Sequence, residues 1–197
     1  EFLNRNLFLV KEHVGMVKAA NNIDIYDPET QKIILECREE RLGIFTKIFR
    51  FTDYKRNTPF DITIRTPEGQ PVVRVTRGVT FFVSHVSVRD EKDQLVGKFK
   101  QKFFSIGGSF TVLDPRDQPV CTLQGKWTGW DFKFMSGEVE FAHVTKKWAG
   151  LGKELFTSAD NYVLKIADTV PPNHPARQLI LAAVMCIPFF LRRSSNS

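Results

Sequence analysis

The residues best suited to chemistry in this chain are cations. Lys98, Lys100 and Lys102 alternate in GKFKQKF, so a strand would send all three to one face and Phe99 and Phe103 to the other. Ammonium groups repeating at about 7 Å suit a surface of anionic head groups, and each near-surface lysine contributes roughly 1 kcal/mol toward acidic lipid. The same pattern fits an edge strand whose lysines discourage further pairing. A second set, Arg41, Lys47, Arg50, Lys55 and Arg56, surrounds Phe45 and Phe49 in and beside LGIFTKIFRF. As a helix, 42–51 gathers Leu42, Phe45, Ile48 and Phe49 on one face, which describes either an interfacial helix or a cap over a core. As a strand, it would put Phe45, Phe49 and Phe51 on one side. Enzymatic chemistry finds no support. His13, His85, His143 and His174 lie at no metal or triad spacing, and Cys37, Cys121 and Cys186 form no C-x-x-C pair. Neither GxGxxG nor GxxxxGK[ST] occurs.

The elements that must position these side chains are legible as strands. IDIYDPETQKIIL from Ile23, DITIRTPEGQPVVRV from Asp61, VSVRDEKDQLVGKF from Val86 and FTVLDPRDQPVCTL from Phe110 repeat one phrase. Each is an alternating run, a polar turn opened by Asp or Thr, and a second alternating run, which is hairpin chemistry. Such recurrence predicts an all-β meander or barrel instead of βαβ units. A length of 197 residues with 42% hydrophobic residues supports one domain over 1–197 with a real core. The 18 Phe residues have no polar handle and must be covered by protein or by something apolar outside it. A net charge of +6 suits an acidic surface, lipid or nucleic acid, although no recognition helix or aromatic–basic stacking platform favours the latter. No secretory signal is read, and scattered cysteines point to a reducing compartment.

One segment departs from the strand pattern. Residues 179–191, LILAAVMCIPFFL, carry no charge and are apolar around the whole helical circumference, so protein or lipid must enclose them. Pro175 stands near the start, where proline is tolerated. Thirteen residues rise about 20 Å, short of the roughly 30 Å bilayer core, which predicts a buried central helix at about 176–191. The alternative is a tail anchor extended through Ala176, with Arg177 and Arg192 snorkelling.

The run KWAGLGKELFTSADNYV, from Lys147 to Val163, with the apolar helix after it, resembles the C-terminal signature of the phospholipid scramblases, K-x-W-x-G…F-T-D-A-D-N-F. Lys146, Trp148, Gly150, Phe156, Thr157, Ala159, Asp160, Asn161 and Tyr162 carry the match, and the hairpin phrases extend it over nearly the whole chain. The resemblance implies a Tubby-like fold, a closed antiparallel barrel of about 12 strands around the C-terminal helix. It also implies a protein of the cytosolic membrane face, peripheral or tail-anchored, that binds anionic phospholipid and promotes its transbilayer movement. A non-scrambling lipid-binding or scaffold module of the same fold is the alternative. Calcium enters by this resemblance only. The family's acidic segment is represented by Asp160, Asn161 and, further on, Asp168, while Ser158 replaces the first Asp and Lys165 intrudes. That is thin for a cation wanting six to eight oxygens. The family's palmitoylated cysteine cluster should fall in RGVTFFVSHVS, which has no cysteine.

Overall fold

The structure is a computed structural model that describes residues 2–14, 21–39, 60–77, 83–102, 109–126, 130–147 and 161–191. The first half of the barrel comprises Leu7–Val14 (β1), Asn21–Tyr26 (β2), Ile33–Glu39 (β3), Phe60–Arg65 (β4), Pro71–Arg77 (β5) and Val83–Asp90 (β6). Leu95–Lys102 (β7), Ser109–Leu113 (β8), Pro119–Lys126 (β9), Asp131–Ser136 (β10), Val139–Thr145 (β11) and Asn161–Ile166 (β12) complete it. Each strand pairs antiparallel with its sequence neighbour, and β1 pairs with β12, Leu7 facing Lys165 and Lys11 facing Asn161. The result is a closed twelve-stranded barrel threaded by one helix, Pro175–Leu191 (α1).

The repeated phrases form four hairpins along one rim. Asp90 and Asp114 use their carboxylates to accept backbone N–H groups two and four residues on, at 2.8–2.9 Å. The Thr66 hydroxyl accepts the Gln70 N–H at 3.2 Å. In these three turns the residue before Gln takes a left-handed conformation, Gly69 at φ 92°, Asp93 at 60° and Asp117 at 63°. The first hairpin differs. Its left-handed residue is Gln31 itself, so the Asp27 N–H closes on Lys32 and the turn is one residue longer.

Alternation fills the barrel. Phe8, Val10, Ile23, Ile25, Ile62, Ile64, Val86, Val88, Phe99, Phe134 and Val144 are fully buried around α1. From Leu179 to Ile187 every helix side chain is 1% exposed or less, so α1 is the core of the barrel. Close approach to β7 depends on Gly97. A Cβ there would lie 2.5 Å from the Leu113 carbonyl oxygen and 2.6 Å from a Leu179 methyl. His174 caps the helix, its Nδ1 accepting the Ala176 N–H at 3.1 Å.

This enclosure decides between the two expectations for 176–191. The tail-anchor alternative is overturned, and with it the snorkelling of Arg177. That guanidinium is buried and donates to the carbonyls of Val170 at 2.6 Å, Pro171 at 2.9 Å and Arg5 at 3.0 Å, and to Asn6 Oδ1 at 2.9 Å. A cation opposes the dipole at a helix start, but here it ties the chain before β1 to the segment after β12. Among the described residues no helix is long and apolar enough to cross a membrane.

Candidate functional site

The lysine row lies on the outer wall of the barrel. Phe99 points inward and is fully buried, while Lys98 and Lys100 on either side of it face out. Register then assembles their neighbours. Lys100 stands opposite His85 on β6 and Thr111 on β8, and Lys98 opposite Ser87 and Leu113. Directly opposed side chains sit about 5 Å apart, close enough for several donors to meet one anion. Together His85, Lys98, Lys100, Thr111, Leu113, Asp117 and Pro119 line an open cleft of about 710 Å³.

Asp117 arrives from the turn between β8 and β9, where its Oδ1 accepts a hydrogen bond from Lys98 Nζ at 2.8 Å. The Lys98 bond holds the Asp117 carboxyl below the ordinary carboxylate range. The Lys98 charge adds to this, as do those of His85 and Lys100, against a desolvation that acts the other way. Four charged or chargeable groups therefore share one field. The remaining donors, Lys100 and His85, have no ion pair among the described residues.

The edge-strand explanation for the lysines is corrected by this geometry. β7 is hydrogen-bonded to both β6 and β8, and a closed barrel has no edge to protect. Lys102 ends β7 opposite Val83 and Ser109, with its side chain outside the described part. Arg41, Phe45, Lys47, Phe49, Arg50, Lys55 and Arg56 fall in 40–59, outside the described residues, in the connection from β3 to β4. That connection joins strand ends at the rim opposite the four hairpins, whereas Asp117 belongs to the hairpin rim.

The calcium segment does not assemble a site from what is described. Asp160 is outside the described residues, and Asn161 is buried at the start of β12. Asp168 lies past the far end of that strand, about 20 Å away, accepting a hydrogen bond from Asn6 Nδ2 at 2.7 Å. It therefore cannot share an ion with Asn161, since calcium ligands all lie within about 2.6 Å of the metal. Among the described residues no group of three or more His, Cys, Asp or Glu could hold a metal. The thiols are core groups. All three are buried, and burial pushes Cys121 up to about 12 and Cys186 well above its ordinary value.

His85 and Asp117 went unrecognised in the sequence as members of the cleft. The signal was present in the meander: adjacent hairpins place β6, β7, β8 and β9 side by side, and register does the rest.

The molecule is thus a closed antiparallel barrel filled by its own helix, with a cationic cleft on the outer wall. The Scramblase family model matches residues 10–191, and the chain belongs to that family. No curated protein matches the chain. An X-ray structure of a protein from Arabidopsis thaliana is similar, with a TM-score of 0.53 at 15% identity over 93% of this chain and 90% of that one. At that identity the likeness concerns the fold.

Proposed function

We propose that the protein binds anionic phospholipid at a membrane surface and makes no covalent change to it. The observation that carries this reading is the outward cleft of Lys98, Lys100, His85 and Thr111 in a chain of the Scramblase family. Ammonium, imidazole and hydroxyl donors converging on open space are what a head-group phosphate requires. The enclosed helix supports binding over insertion, because its apolar surface is already spent on the barrel core. Transbilayer movement by this protein would therefore act from the outer wall and rims while α1 stays within. The 41–56 segment, with Phe45 and Phe49 among Arg41, Lys47, Arg50, Lys55 and Arg56, is the second proposed contact.

Co-sedimentation with vesicles tests the reading. Replacing Lys98, Lys100 and Lys102 by Gln should cost roughly 2–3 kcal/mol toward acidic vesicles and little toward neutral ones. Parent binding should weaken steeply from low to physiological salt, because exposed charges are screened beyond about 8–10 Å. A triple variant that binds acidic vesicles as tightly as the parent would remove the cleft from the membrane contact.

A further inference from the structure

The geometry points to Asp117 as a built-in competitor for the cleft, its carboxylate holding Lys98 until a phosphate group displaces it. This rests on the phospholipid reading above and adds to it a ligand chemistry, phosphate, and a means of restraint. Lys98 is the lysine turned toward the chain's own acid, bonded to Asp117 Oδ1 at 2.8 Å and only 26% exposed, while Asp117 is 64% exposed. A phosphate seated by Lys100, His85 and Thr111 needs a further donor, and Lys98 is the other lysine lining the cleft. Exposed ion pairs hold weakly, so such a carboxylate yields readily to a doubly charged anion.

The pair is not required by the turn that carries it. The turn is closed by the Asp114 carboxylate, which accepts the N–H groups of Arg116 and Gln118 at 2.8 and 2.9 Å. Asp117 needs only to tolerate φ 63°, which Asn does as well. The neighbouring hairpin supplies a comparison. Asp93 occupies the same turn position at φ 60°, and its carboxylate has no ion pair among the described residues. Of the three turns of this kind on the rim, two carry an acid at the left-handed position, and among the described residues only the one beside the cleft reaches a lysine.

The experiment uses the full chain with phosphatidylcholine vesicles, with and without phosphatidic acid. A parallel titration with inorganic phosphate is followed by the His85 imidazole resonances. Asp117→Asn should bind the acidic vesicles about fivefold more tightly than the parent. Asp93→Asn, which changes net charge equally, should stay within about twofold. Adding Lys98→Gln to Asp117→Asn should abolish the gain. Equal gains from Asp117→Asn and Asp93→Asn would reduce the effect to net charge and overturn the inference, as would no gain at all. If no variant prefers acidic vesicles while Asp117→Asn gains affinity for inorganic phosphate, the carboxylate restraint stands and the phospholipid reading falls. If neither vesicles nor inorganic phosphate responds, both fall.

Discussion

Tyr162 shows how much one atom can matter in this core. Its ring stacks on Trp130 with centroids 4.0 Å apart, and the residue is buried inside the barrel. Among the described residues its hydroxyl has no hydrogen-bond partner, and burial pushes its pKa well above the usual phenol value. The family element that this segment resembles ends in Phe, which would leave no polar atom behind. Tyr162→Phe should therefore raise stability by about 1 kcal/mol, read as a higher denaturation midpoint at unchanged slope. A lower midpoint would mean the hydroxyl is satisfied after all. Arg177 is the opposite case, a buried charge whose donors are taken up by carbonyls from both ends of the strand sequence. No pattern in the sequence separates these two residues from ordinary core and surface positions. What distinguishes them is which distant backbone atoms the fold brings near.

At the level of elements, the tightest tolerance lies between β7 and α1. Gly97 is not in the left-handed region, and what it supplies is room, since Leu179 and the Leu113 carbonyl occupy the space a side chain would need. Gly97→Val should destabilise the barrel by about 3 kcal/mol or more, because carbonyl and helix cannot both retreat. Thermal melts of Gly97→Val and Gly97→Ala compared with parent would measure it, and a Val variant as stable as parent would mean the helix sits elsewhere. The hairpins and the apolar helix were legible in the sequence because each is specified locally. Turn acids, alternation and an uncharged run of helical length all lie within about twenty residues. Closure was not legible residue by residue, since β1 finds β12 across almost the whole chain. The extra residue in the first turn was also hidden, because D-P-E-T-Q reads like its relatives until Gln31 takes the left-handed position. The lysine row was recognised, but its bland explanation as an edge failed because edges are a property of the finished sheet.

For the molecule as a whole, the separation of the two rims has functional weight. Of the segment that suggested calcium, Asn161 opens β12 and Asp168 lies past its far end, so these two are separated by the height of the barrel. Calcium at sub-millimolar levels should leave the melting temperature and vesicle binding unchanged, as scanning calorimetry and co-sedimentation with a chelator control would show. A midpoint raised by several degrees and restored by Asp160→Ala would place a site there. The order of parts along the chain carries another consequence. All twelve strands precede the helix that fills them. A ribosome adding about 5–20 residues per second therefore delivers the whole wall before its contents. Until residues 175–191 emerge, the inward-facing Phe, Ile and Val side chains have nothing to close upon. The nascent wall is in effect a ring of exposed apolar strands, awaiting chaperone cover or the late arrival of its own plug. Nonsense or frameshift lesions that spare every strand but remove residues 175–191 should thus be as damaging to folding as those within the strands, leaving an aggregation-prone shell.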